Sequence, residues 1–165
     1  MFVFYHSIYF VRISDYNGSM ILKTIIGRNR NFEVALDEED EHFANKTSLW
    51  LTSRGYVELQ INGTHYLLHR LIMRAEKGQY VDHINHDKLD NRRSNLRVCT
   101  QSQNLGNRNL NTNNKTGFKG VSKFRDKWRV YVAKQYVGVY PTLEEASNAY
   151  NQAALGEYGE FAKLN

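Results

Sequence analysis

The sequence predicts an α+β protein, on three observations. Short apolar runs with strand alternation fill the first seventy residues, and Asn62-Gly63 joins two of them as a two-residue hairpin signal. Capping boxes mark two helix starts, Thr100 with Gln103 and Thr142 with Glu145. Between the hairpin and the first box, Tyr80 to Arg108 has few apolar residues and many polar groups. The order predicted is a strand-rich lead-in, a small polar region, and a three-stranded antiparallel sheet packed on one helix.

Met1–Ile13 is apolar, β-branched and aromatic, and reads as strand. It falls short of the about 20 residues of a membrane span, and it has no basic leader or small-residue cleavage site. Asp15–Gly18 reads as a turn. Met20 offers an alternative start that would make residues 1–19 an extension, and residues 1–30 are set apart as an N-terminal extension. Asn31–Leu36 is a strand, and Asp37 caps a helix through Ala44 with acids at its favourable end. Leu49–Leu51, Gly55–Ile61 and Thr64–Leu68 are strands. The spacing of Leu67, Leu68, Leu71, Ile72 and Ala75 predicts a helix over 67–77, stopped by Gly78. Val81, Ile84, Leu89, Leu96 and Val98 anchor the polar run, and the helix opening at Gln101 carries Asn104. Residues 109–116 have linker composition. Phe118–Phe124, Lys127–Ala133 and Tyr136–Tyr140 are three strands, and Ala146, Ala149, Tyr150, Ala153 and Ala154 give the last helix its face. Two domains follow, 31–108 and 117–165.

The chain has 165 residues, room for one domain or two small ones. Its single cysteine, Cys99, excludes an internal disulfide and a Cys-rich zinc site, and fits a reducing, intracellular setting. The net charge of +5 conceals a division. Residues 1–69 carry 6 Lys and Arg against 8 Asp and Glu, residues 70–134 carry 15 against 5, and residues 135–165 carry 1 against 4. A central block of +10 mixed with aromatics points to a nucleic-acid partner.

The run Val81 to Asn104 holds the chemistry. Asp82-His83 is followed twelve residues after the histidine by Asn95-Leu96-Arg97, and nine residues further by Asn104. Asp82 and Asn104 are hard oxygen donors suited to Mg²⁺ or Mn²⁺. A neutral His83 can act as general base. An activated water and a cation on the phosphate are the parts that phosphodiester hydrolysis needs.

His69-Arg-Leu-Ile, Val81-Asp-His-Ile-Asn, Asp90-Asn-Arg-Arg-Ser-Asn-Leu-Arg and Thr100-Gln-Ser-Gln-Asn together resemble the HNH endonucleases, in particular the phage homing type with the ββα-metal fold. The resemblance implies that Asp82 and Asn104 hold one metal ion, that His83 is the general base, and that Asn95 fastens the loop between the strands. It implies cleavage to 5′-phosphate and 3′-hydroxyl ends, with no structural zinc. His86 departs from the pattern and reads as a turn residue. Gly117-Phe-Lys-Gly-Val, Lys127-Trp-Arg-Val-Tyr-Val, Val137-Gly-Val-Tyr and Thr142 to Tyr150 are similar to the APETALA-type (ethylene-response-factor) DNA-binding domain. That resemblance implies a DNA-facing sheet drawing on Lys119, Lys123, Arg125, Lys127, Arg129 and Tyr131. The turn near Lys134-Gln135 is shorter than in plant relatives. Alternation places Trp128 on the core side.

His69 reads as a hydrogen-bonded packing residue rather than a catalytic one. His6, His42 and His65 show no partner spacing. Asp87 and Asp90 read as turn formers, and Cys99 as a small core residue. Arg92, Arg93, Arg97 and Arg108 lie beside the proposed site and are assigned to backbone phosphates. The expectation is a metal-dependent endonuclease acting on double-stranded DNA, in host cytoplasm if phage-encoded, with no membrane partner. Monomer and homodimer stay open, as does a catalytically inactive DNA-binding regulator.

Overall fold

The computed structural model describes residues 9–15, 18–26, 31–45 and 49–165. The strand reading of residues 1–8, the middle of the Asp15–Gly18 turn and His6 lie outside the described residues. The chain divides into two compact units, Met1–Val98 and Cys99–Asn165.

In the first unit, β1 (Tyr9–Asp15), β2 (Gly18–Ile26) and β3 (Asn31–Asp37) form an antiparallel sheet in that order. Asp37 does not cap the helical segment that follows. Its carboxylate accepts the Arg93 backbone N–H at 2.7 Å, so a single 3-10 turn, Glu38–Asp40, leads into α1 (Glu41–Asn45). β4 (Leu49–Leu51), β5 (Val57–Ile61) and β6 (Thr64–Leu67) form a second antiparallel sheet. Between β5 and β6, Asn62 and Gly63 both have positive φ, 49° and 81°. This is the primed turn whose twist matches a hairpin.

α2 (Leu68–Ile72) ends five residues short of the predicted 67–77. The reason is Arg74, whose φ of 49° reverses the chain. The Ala75 N–H bonds back to the Arg70 carbonyl and the Arg74 N–H to the Leu71 carbonyl, a Schellman pattern with arginine where glycine is usual. The Arg70 guanidinium holds the exit in place by donating to the carbonyls of Ala75, Glu76 and Gln79. β7 (Tyr80–His83) and β8 (Leu96–Cys99) pair as a two-stranded sheet. Val34, Leu36, Val57, Leu59, Leu68 and Ile72 form the centre of this unit's core, with Val81 and Leu96 bringing β7 and β8 onto it.

In the second unit, α3 (Gln101–Gly106) opens with the complete Thr100–Gln103 capping box. β9 (Val121–Phe124), β10 (Lys127–Val132) and β11 (Gln135–Tyr140) form an antiparallel sheet with β10 central. α4 (Leu143–Tyr158) packs on it, its first turn capped by the Thr142 hydroxyl, which accepts the Glu145 N–H. The β10–β11 turn is Ala133-Lys134, both at positive φ, one residue earlier than Lys134-Gln135. Val121, Val130, Val132, Ala146, Tyr150 and Ala154 form the core, and Cys99 is buried within it. Residues 109–116 belong to this unit.

Candidate active site

The loop between β7 and β8 is built by its own polar side chains. Asn95 Oδ1 accepts the Asn85 N–H at 3.0 Å, and Asn95 Nδ2 donates to the Asp90 carbonyl at 2.8 Å. Asn95 is buried, and these two bonds tie the loop's far end to its start at Asn85 and to its middle at Asp90. Asp87 and Asn85 form turns by accepting the backbone N–H of Leu89 and of Asp87. His86, in the turn that leaves β7, lies in the left-handed region at φ 66°. A backbone bracket holds the loop to β3: the Ala35 N–H donates to the Leu89 carbonyl, and the Ala35 carbonyl accepts from Asn91.

Asp82 and His83 end β7, and both are buried. Two guanidinium bonds from Arg97, at 3.0 and 2.9 Å, converge on Asp82 Oδ2. Burial is the largest influence on His83 and pushes its pKa down. Asn91 and the carboxylates Asp82, Asp87 and Asp90 oppose it without reversing it. The imidazole is therefore neutral near pH 7, the state a general base requires.

The arginines beside the loop are bound to carboxylates. Arg92 forms a two-point fork with Asp90, at 2.8 Å on each oxygen. Burial alone raises the Asp90 pKa, but the Arg92 guanidinium and the Asn85 amide outweigh it and the net shift is downward. Arg93 forks onto the fully buried Asp40 at 2.9 and 2.8 Å and also meets Glu39. These pairs fix the loop's geometry and leave each guanidinium less positive toward a phosphate than its sequence suggests.

Asn104 lies half-buried on α3 in the second unit, its backbone N–H bonded to the Thr100 carbonyl. Asp82 and Asn104 are oxygen donors, and a hard divalent cation completes its shell with water and substrate oxygens rather than with a full protein cage. The donor chemistry fits such an ion. Among the described residues, no group of three or more His, Cys, Asp and Glu is arranged to hold a metal.

On the sheet of the second unit, alternation divides β10. Trp128, Val130 and Val132 turn toward α4, whereas Lys127, Arg129 and Tyr131 face away. The Arg129 guanidinium lies over the Phe124 ring at 5.1 Å and near Tyr131 at 5.4 Å, and Arg125 approaches Phe124 at 5.6 Å. Tyr131 and Tyr136 pair edge to face at 5.7 Å. Lys123 is registered opposite Trp128 and covers that ring at 4.4 Å, so it sits on the other side from Arg129. Lys119 is half-buried and donates to the Gly106 carbonyl. Burial, then Lys163 and Arg108, push its pKa down to about 8. Arg108 is exposed and bonds Asn111.

Two aromatic residues stand beside His83, of which the sequence reads His69 as packing and does not mark Tyr56. His69 on α2 stands with its ring 5.0 Å from that of His83, tilted 65°, and Tyr56 lies 5.1 Å from His69 and 6.0 Å from His83. His69 is buried as a packing residue, but its Nδ1 makes no hydrogen bond. The His69-Arg-Leu-Ile run marks the helix, and only the fold shows that the helix presents this ring to β7.

Residues 66–105, which contain Asp82, His83, Asn95 and Asn104, match a family model described as HNH endonuclease. A protein of Acanthamoeba polyphaga mimivirus, named as an uncharacterized HNH endonuclease, is 31% identical over 157 residues, 89% of this chain and 82% of its own. No solved structure matches the chain at a significant level. With the family pattern lying over the β7–β8 loop and the likeness extending along nearly the whole chain, this protein belongs to the HNH endonuclease family and is a nuclease acting on phosphodiester bonds.

Proposed function

We propose that the protein is a divalent-metal-dependent endonuclease for double-stranded DNA, with His83 as general base and Asp82 and Asn104 as the metal-holding side chains. The observation that carries this is the buried Asp82–His83 pair at the end of β7, with the imidazole held neutral by burial. His83 takes a proton from the attacking water onto an imidazole nitrogen as the water oxygen bonds to phosphorus. Asn95 keeps the loop closed around that ring through its two hydrogen bonds. A bound Mg²⁺ or Mn²⁺ would supply positive charge for the phosphate and the leaving 3′ oxygen. As the water oxygen bonds to phosphorus, the bond from phosphorus to the 3′ oxygen breaks and the 3′ oxygen takes a proton from solvent, so cleavage leaves 5′-phosphate and 3′-hydroxyl ends.

The proposed division of labour is a nuclease domain over 31–108, a linker over 109–116, and an APETALA-type DNA-binding domain over 117–165, following an N-terminal extension over 1–30. The outward face of the second unit's sheet supports the binding role. It interleaves Lys127, Arg125 and Arg129 with exposed Phe124, Tyr131 and Tyr136. Lys123 and Lys119 lie elsewhere on the unit and contribute charge rather than that face. A homing role in a phage is the biological setting we propose, from the motif resemblance.

Supercoiled plasmid with Mg²⁺ tests this reading. The intact protein nicks or cuts it, and EDTA stops the reaction. Asp82→Ala, His83→Ala and Asn104→Ala each reduce the rate by about 100-fold or more. Cleavage that survives both EDTA and His83→Ala sinks the mechanism. Tight duplex binding with no cutting in Mg²⁺ or Mn²⁺ favours the inactive regulator.

A further inference from the structure

We infer that His69 is a positioning residue for His83: its ring walls one side of the general-base imidazole and holds that imidazole in one orientation. The inference rests on the reading of His83 as the base, and it gives a role to a residue that the sequence reads as packing.

Three observations on the first unit carry it. The first is contact geometry. The two imidazole centroids are 5.0 Å apart at 65°, the edge-to-face arrangement in which the positive edge of one ring meets the face of another. Tyr56 flanks both rings, at 5.1 and 6.0 Å, and Lys88 lies over the Tyr56 face at 4.5 Å. His83 thus has two aromatic rings packed beside it.

The second is cost. His69 is 4% exposed, and its Nδ1 has no hydrogen-bond partner. A buried polar atom left unpaired destabilises a fold, and an aliphatic side chain such as leucine would fill the space without that penalty but without a ring to face His83. Buried polar groups kept unpaired call for a reason beyond packing.

The third is support. α2 is only one and a half turns long, yet it is locked. Leu68 and Ile72 on either side of His69 are fully buried in the core, and Arg70 pins the exit loop through three backbone carbonyls. A short helix held at both ends presents His69 at a fixed place, which a wall must have. Burial, then the neighbouring His83 and Arg70, push the His69 pKa down to about 3. His69 therefore stays uncharged and does not repel a proton arriving on His83.

The experiment compares His69→Ala, His69→Phe and His69→Leu with His83→Ala and the double variant His69→Ala/His83→Ala, in the full chain. Cleavage kinetics with Mg²⁺ and the His83 ring-proton NMR shifts without metal are both read. His69→Ala is expected to lower kcat about 10- to 100-fold with KM unchanged, the range typical of supporting residues around a site. The His83 ring protons move as the facing ring is lost, and His69→Phe recovers most of the rate while His69→Leu does not. Because His69 acts through His83, the double variant is no slower than His83→Ala alone. Wild-type kcat with unmoved His83 shifts overturns the inference, and so does a double variant slower than His83→Ala. If His69→Ala does not fold, the Phe and Leu variants decide: equal rates mean that only volume matters, and the inference fails. If His83→Ala cleaves at the full rate, the proposed function fails instead, and the ring shifts still report whether His69 fixes the His83 ring.

Discussion

Asn95 and His69 show how differently two buried polar side chains are used in one small region. Asn95 satisfies two backbone groups at once, the Asn85 N–H and the Asp90 carbonyl. Asn95→Ala removes both bonds and is expected to cost about 2 kcal/mol of stability, read by urea unfolding with an unchanged slope. Asn95→Asp keeps the acceptor but loses the donor, and falls between. His69 leaves a nitrogen unpaired, and its protonation is linked to folding. Its folded pKa of about 3 lies below the unfolded value of 6.5, so the unfolded chain binds the proton first. The penalty is absent above pH 6.5 and grows as pH falls from 6.5 toward 3. His83 shifts in the same direction. Melting temperature followed from pH 7.5 to 4 should therefore fall more steeply in the native chain than in His69→Phe, and parallel curves would refute this. At this scale the motif residues were readable from type and spacing alone. The pairing of Arg92, Arg93 and Arg97 with Asp90, Asp40 and Asp82 was not. The Arg93–Asp40 pair joins residues 53 apart in the chain, and no local pattern encodes it.

Element boundaries depended on how each end is chemically marked. Both ends of the β5–β6 turn and the start of α3 carry explicit side-chain signals, Asn62-Gly63 and the Thr100–Gln103 box, and the fold places them there. The end of α2 carries none. Apolar spacing runs on to Ala75, but Arg74 turns left-handed because Arg70 gathers the following carbonyls, a reason that lies in side-chain reach rather than in periodicity. Asp37 likewise had the type of a cap but is bonded by Arg93 instead. Gly120 marks a closer constraint. Its φ is +70°, and an added Cβ would meet the Tyr131 carbonyl and the Tyr150 ring at 2.4 Å. Gly120→Ala is expected to destabilise the second unit by about 2 kcal/mol or more, since neither the backbone conformation nor the core can yield cheaply. Hydrogen exchange in β10 and α4 would report it, and unchanged protection there would contradict it.

For the molecule as a whole, charge is segregated along the chain: +10 over residues 70–134 between two acidic ends. The first unit neutralises much of its share internally through three arginine–carboxylate pairs. On the β9–β10 face of the second unit, Arg125 and Arg129 stack on aromatic rings instead, where they remain available to an anion. Duplex affinity should therefore fall steeply with salt, and Lys127→Ala and Arg129→Ala should each reduce the slope of log Kd against log salt by about one. Arg92→Ala should act mainly on stability. Equal slopes for all three variants would place the binding charge elsewhere.

The sequence by itself determined the α+β class, the order of its elements and the family, because turn chemistry, capping residues and motif spacing are local properties of neighbouring residues. Tertiary structure alone decided which charges stay open, where α2 stops and which ring faces His83. Those outcomes depend on where side chains reach, from Arg70 gathering the carbonyls of Ala75, Glu76 and Gln79 to Arg93 meeting Asp37 from 56 residues away. Distance along a sequence carries no information about such meetings until the core has brought the elements together.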